Sequence, residues 1–176
     1  MEIKIEDLKV LFSEEQLQAR IKELADEMNK FYNGEEVIAI CVLKGAVMFA
    51  VDLVKHLDMP VKMEFIRLSS YGSSTTTSGK VNAVDIQLPD LNDKNVLIIE
   101  DIVDTGLTAK FLMDFMHCNF HAKSIKFCSL LDKKITRKVD IEPDYYGFDV
   151  DDKFVVGYGL DFDGYFRNLK YIGYKE

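Results

Sequence analysis

The stretch that most constrains this chain runs from Val96 to Met116. Val96-Leu97-Ile98-Ile99 is a short apolar run rich in β-branched residues, the pattern of a strand buried on both faces of a parallel sheet. Glu100 and Asp101 end the run, and Asp104-Thr105-Gly106-Leu107-Thr108 follows. Phe111, Leu112, Phe115 and Met116 then recur at helical spacing. A strand, an acidic tip, a Gly/Thr loop and a helix in that order form a phosphate cradle, because the loop and the helix start offer free N–H groups and a positive dipole end. Carboxylates repel a phosphate but can hold Mg²⁺ or sugar hydroxyls. The unit therefore reads as a pocket for a phosphorylated sugar with a metal beside it.

The flanking pattern extends this to an α/β domain. Ser13 with Gln16 forms a capping box, Phe12 and Leu17 a hydrophobic staple, and Leu17, Ile21, Leu24, Met28 and Phe31 one helical face. Asn33-Gly34 stops that helix. Val37–Leu43 reads as a second buried strand, and Val47, Ala50, Val51 and Val54 as the face of a second helix. After Met59-Pro60, a strand is expected over 61–68, with a returning strand over 81–88 and another over 125–131. Alternating strands and helices predict a doubly wound, mostly parallel sheet with helices on both faces. Residues 1–176 are expected to form one domain with a core at about 13–142. A small hood would come from about 143–176 with 1–11, where the tail turns aromatic and glycine-dotted.

Ser69 to Gly79 is the one low-complexity stretch. By composition it is a flexible surface loop; as a long loop inside a compact domain it also fits an active-site lid. Open α/β sheets bind ligands at the C-terminal edge of their strands. Lys44, Asp104 and Lys133 all fall at that edge. The cations of 133–138 otherwise read as a solvated loop. Phe154, flanked by acids and Lys153, is either hairpin packing or a platform for a planar base.

A net charge of −8 argues against a nucleic-acid surface, and no apolar run reaches membrane-spanning length. Cys41, Cys118 and Cys128 are too few and scattered for a disulfide framework. Two of them sit in strand-like runs as buried thiols. Charges at Glu2, Lys4 and Glu6 stand where an export signal would be apolar. A reducing cytoplasm is the expectation.

An acidic pair at a strand end also occurs in phosphate-accepting receiver domains. Asp104-Thr105-Gly106-Leu107-Thr108 directly behind the pair instead resembles the phosphoribosyltransferase signature. Val42-Leu43-Lys44-Gly45-Ala46, Ser70-Tyr71, Ser129-Leu130-Leu131-Asp132-Lys133 and Asp152 to Asp161 narrow the resemblance to the hypoxanthine-guanine phosphoribosyltransferase family, over most of residues 36–170. The resemblance implies the type I phosphoribosyltransferase fold and transfer of phosphoribosyl from phosphoribosyl pyrophosphate to N9 of hypoxanthine or guanine. The products would be IMP or GMP and pyrophosphate, with Mg²⁺ as cofactor. It implies a homo-oligomer, dimer or tetramer.

The residue roles below are likewise those the resemblance implies. Glu100 and Asp101 hold the ribose hydroxyls and metal. Asp104 exchanges a proton with N7 of the base. Thr105, Gly106, Leu107 and Thr108 cradle the 5′-phosphate. Lys44-Gly45 meets pyrophosphate through a strained or cis peptide, and Arg167 meets it as well. Lys133 donates to O6, Lys153 and Phe154 line the base, Val155 reads the base edge, and Asp161 binds a second metal. Ser70 and Tyr71 close over the site. Leu107 occupies a position variable in that family. Asp132, beside Lys133, is expected to disturb the lysine's contact.

Overall fold

The computed structural model describes residues 4–70, 81–85 and 87–175. Five parallel strands form its centre: β2 (Val37–Leu43), β3 (Val61–Ser70), β5 (Asn95–Val103), β6 (Ser124–Asp132) and β7 (Tyr145–Asp149). A sixth, β4 (Val81–Asp85), runs antiparallel on β3, so the sheet order is β4-β3-β2-β5-β6-β7. Strand alternation sends Ala39, Cys41, Leu97 and Ile99 to one face and Ile38, Ile40, Val96 and Ile98 to the other. Helices α1 (Glu14–Tyr32) and α2 (Val47–Val54) cover the first face, and α3 (Leu107–Asn119) covers the second. This is the doubly wound sheet the apolar runs require, because a strand apolar on both faces must be covered on both.

A second, three-stranded antiparallel sheet joins the chain ends. Its order is β1 (Lys9–Phe12), β9 (Ile172–Tyr174) and β8 (Val155–Val156). Phe12 stacks on Phe148 with centroids 4.2 Å apart, tying this sheet to the central one. No described helix is long and apolar enough to cross a membrane.

Several local expectations hold. Ser13 caps α1 in a reciprocal box with Gln16, and Asn33 ends it in the left-handed region at φ 48°. Ser70 pairs with Val81, so β3 and β4 form a long hairpin. Of the proposed lid, Ser69 to Gly79, the part from Tyr71 on lies outside the described residues, as do the side chains of Ser69 and Ser70.

Other expectations are corrected. Phe31 is not on the buried face of α1; it is 47% exposed while Tyr32 is 2% exposed. The 3.6-residue period carries the stripe four residues on from Met28 rather than three. In α2 the fully buried side chains are Phe49, Ala50 and Leu53, with Val51 exposed. Strand β5 does not stop at its acids but continues to Val103, because β6 pairs alongside as far as Asp132. Strand β7 belongs to the central sheet, so the tail leaves that sheet only after Asp149. At the N-terminus a short 3₁₀ turn at Ile5–Asp7 precedes β1. The cis peptide is Leu43–Lys44, one bond earlier than Lys44-Gly45.

Candidate active site

The C-terminal edge of the central sheet opens into two adjoining cavities. The larger, about 440 Å³, is lined by Lys44 and Gly45 after β2, Glu100 to Gly106 on β5 and its loop, Thr108 on α3, and Asp161 and Arg167 from the tail. The smaller, about 190 Å³, is lined by Lys133, Lys153, Phe154, Val155 and Leu160. Asp101, Ile102, Asp104 and Asp161 border both. Of the sequence-predicted residues whose side chains are described, all but Leu107 line one of these two cavities; Tyr71 and the Ser70 side chain lie outside the described residues. Leu107 starts α3 but lines neither cavity.

The phosphate cradle has the features that its residues dictate. Gly106 caps α3 at φ 81°, a conformation L-residues rarely adopt, with no side chain of its own to cap it, and the Leu107 N–H makes only a long 3.5 Å bond to Thr105 Oγ1. The first-turn N–H groups of α3 therefore keep donors for an anion at the wall formed by Thr105, Gly106 and Thr108. A side chain at Gly106 would strike Arg137 Cδ and Ile141 Cγ2, both 2.7 Å from the Cβ position.

The two acids on β5 are held differently from Asp104. Glu100 is 4% exposed, and its Oε1 has no hydrogen-bond partner among the described residues. Burial, with the Asp101 charge adding, pushes its carboxyl up to about 8. Burial also raises Asp101, whose carboxylate rests on the α-carbon of Gly45: a Cβ there would lie 1.5 Å from Oδ2. Asp101 Oδ1 accepts the Ile102 N–H at 2.9 Å. Asp104, in contrast, is exposed.

The hood builds the opposite wall through tight turns. Gly157, Tyr158 and Gly159 all have positive φ. A Cβ on Gly159 would lie 2.0 Å from the Gly45 carbonyl oxygen, so two glycines let the hood press on the loop after β2. Arg167 donates to the Gly159 carbonyl at 2.7 Å and pairs with Asp161 at 2.6 Å. Asp161 also accepts the Gly164 N–H at 2.7 Å. Phe154 is 54% exposed and meets Phe162 edge-on. Lys153 lies over the Tyr174 ring, and Lys133 pairs with Asp152 at 3.0 Å and donates to the Lys153 carbonyl at 3.3 Å. Val155 lies on β8, the edge of the hood sheet, which leaves one side of its backbone without a strand neighbour.

Glu100, Asp101 and Asp161 do not converge on one point as a metal cluster. No group of three or more His, Cys, Asp or Glu side chains among the described residues is arranged to hold a metal. The orphaned Glu100 Oε1 and the carboxylates of Asp101 and Asp161 around one cavity do fit Mg²⁺, which takes oxygen ligands and is commonly held by one or two carboxylates plus substrate phosphates and water.

The turn from Lys133 to Lys138 is the part that sequence reasoning missed. Arg137 donates to the carbonyls of Val103, Asp104 and Ile141 and forms an ion pair with buried Asp132. Asp132 therefore turns toward Arg137 and Lys134, not toward Lys133. The expected disturbance of Lys133 does not arise. Lys133 N–H and Lys138 N–H also bond the carbonyls of Val103 and Thr105, both at 2.9 Å. The bonds that tie this turn to β5 and its loop carry no sequence signal, because Arg137 reaches the carbonyls of Val103 and Asp104 more than thirty positions away.

The phosphoribosyl transferase domain family matches residues 9–163. A hypoxanthine-guanine phosphoribosyltransferase of Bacillus subtilis (strain 168) is 48% identical over 165 residues, covering 94% of this chain and 91% of that protein. One from Aquifex aeolicus (strain VF5) is 45% identical over 169 residues, covering 96% and 94%. The crystal structure of a hypoxanthine-guanine phosphoribosyltransferase from Bacillus anthracis superposes with a TM-score of 0.90 at 44% identity, covering 99% of this chain and all of that one.

Proposed function

The chain belongs to the phosphoribosyltransferase family, among its hypoxanthine-guanine members, and on that footing we propose how its site divides the labour. It is an enzyme of purine salvage. It transfers the 5-phosphoribosyl group from phosphoribosyl pyrophosphate to N9 of a 6-oxopurine, giving IMP or GMP and pyrophosphate.

The observation that carries the assignment of roles is the pair of adjoining cavities with Asp104 on their shared border. The larger cavity takes the sugar phosphates. The N–H groups of Thr105 to Thr108 and the two threonine hydroxyls hold the 5′-phosphate. Lys44, Gly45 and Arg167 face the pyrophosphate. Glu100 and Asp101 orient the ribose diol. Glu100 and Asp101 would hold one Mg²⁺ and Asp161 a second, and these ions would supply positive charge against the departing pyrophosphate.

The smaller cavity takes the base. Phe154 stacks on the ring, Lys133 donates to O6, Lys153 lines the wall, and the Val155 backbone meets the base edge. Asp104 exchanges a proton with N7, which raises N9 nucleophilicity or relieves charge on the ring. Ser70 and Tyr71 close over the reacting centre and exclude water. The resemblance supports a homo-oligomer. Three unpaired cysteines suit a reducing cytoplasm.

Steady-state release of pyrophosphate, measured with hypoxanthine, guanine, xanthine and adenine in turn, with and without Mg²⁺, tests this reading. Turnover with hypoxanthine and guanine that stops when Mg²⁺ is chelated is expected. Turnover with adenine would overturn the base-site assignment, and metal-independent turnover the Mg²⁺ assignment.

A further inference from the structure

We propose that Thr136 is a positioning residue for Asp104, fixing which carboxylate oxygen faces the base. The inference rests on the role given to Asp104 above. Thr136 closes the 3₁₀ turn Lys134–Thr136, and its hydroxyl donates to Asp104 Oδ1. The Thr136 hydroxyl oxygen also lies 3.1 Å from the Lys133 carbonyl. One hydroxyl hydrogen thus has two acceptors. With Asp104 ionised it goes to the carboxylate, because a hydrogen bond to a charged acceptor is about twice as strong.

Asp104 is exposed, and the terminal torsion of an aspartate is broad, so an unrestrained carboxylate samples many orientations. A donor fixed on Oδ1 leaves Oδ2 for the base. The donor is itself fixed, since the turn is stitched to β5 and its loop by Lys133, Arg137 and Lys138. The turn also carries Lys133. One hydroxyl therefore sets the spacing between the side chain that meets O6 and the one that meets N7, which lie on neighbouring atoms of a 6-oxopurine. Thr136 touches neither substrate; it acts through Asp104.

The test is a double-mutant cycle on the full-length enzyme, with kcat and both KM values measured for Thr136→Val, Thr136→Ser, Asp104→Asn and the double variant Asp104→Asn/Thr136→Val. Valine keeps the threonine shape without the hydroxyl. Thr136→Val is expected to lower kcat about tenfold, with KM for phosphoribosyl pyrophosphate changed less than about twofold, as for a lost hydrogen bond to a charged group. Thr136→Ser should recover kcat to within about threefold of the parent. The double variant should be no slower than Asp104→Asn, because coupled residues do not add. Parental kcat in Thr136→Val, or a full tenfold loss repeated on top of Asp104→Asn, overturns the inference. If Thr136→Val lowers the melting temperature enough to impair folding, the Ser variant and Thr136→Ala carry the comparison. Near-parental turnover in Asp104→Asn alone defeats the underlying role of Asp104, a result distinct from failure of Thr136.

Discussion

The floor and the wall of the site are built by opposite means. The floor is the C-terminal edge of β2 and β5, where long parallel strands hold in register for five or more residues. Its groups are presented on regular backbone and stabilised by the core on both sheet faces. The wall is the hood, whose strands β8 and β9 have two and three residues. It is held by left-handed turns, an Asp161–Arg167 pair and close glycine contacts. A regular floor can bury an acid, as at Glu100, because the surrounding sheet excludes water and the carboxyl keeps its proton up to about 8. A wall of turns brings flat and cationic groups up against a ligand. Chemistry that needs a fixed acid falls to the floor, and recognition of a planar base falls to the wall.

Substitutions on the two sides should separate accordingly. The largest effect belongs to the floor loop: Asp104→Asn should lower kcat by about 10²–10⁴-fold while phosphoribosyl pyrophosphate still binds, the range for loss of a general acid or base. Single-turnover kinetics beside a binding titration would expose any other outcome.

Glu100 provides a second break through pH. Its carboxyl ionises at about 8 in the folded protein, against 4.5 for an ordinary glutamate. Between those values the folded chain holds a proton that the unfolded chain has lost. Its stabilising contribution is complete below about pH 4.5 and disappears as pH rises through 8, a change on the order of a few kcal/mol. The melting temperature of the ligand-free enzyme should fall between pH 5 and pH 8.5, and Glu100→Gln should lessen that fall. Parallel pH curves for parent and variant would rule out a buried, proton-holding Glu100.

Gly45→Ala tests the seam where floor meets wall. The new methyl would overlap Asp101, so a loss of about 1–3 kcal/mol in stability and a raised KM for phosphoribosyl pyrophosphate are expected. Gly164→Ala, in the wall with open space around it, is the control and should cost about 1 kcal/mol through its φ of 83° alone. On the wall, Phe154→Ala should raise KM for the base about tenfold and leave KM for phosphoribosyl pyrophosphate near its parental value, since stacking on an aromatic contributes about 1–3 kcal/mol.

The floor was far more legible in the sequence than the wall. Val37–Leu43 and Val96 to Ile99 announced themselves as continuous apolar runs, and Asp104-Thr105-Gly106 marked the turn into α3. Such signals are local: a strand apolar on both faces needs two covers, and a left-handed turn favours glycine, as at Gly106, or asparagine, as at Asn33. The resemblance carried the wall, where Phe154 and Asp161 have no periodicity to interpret. The bonds of Arg137 and Thr136 to β5 and its loop were invisible in both ways of reading, since each joins side chains to groups more than thirty residues away.

The sequence by itself determined the alternation of strands and helices, the phosphate-binding turn and the ends of α1, because near-neighbour sterics, capping and apolar periodicity decide those. Only the tertiary structure decided that β5 runs past its acids, that Tyr32 rather than Phe31 faces the core, and that β7 joins the central sheet. Those outcomes depend on which backbone pairs alongside and which surface is covered, and no stretch of chain carries that information alone. The same holds for the two fates of the acids in the opening motif. Glu100 is buried and proton-holding because the sheet closes around it; Asp104 is exposed and held by Thr136 because a distant turn folds back onto its loop.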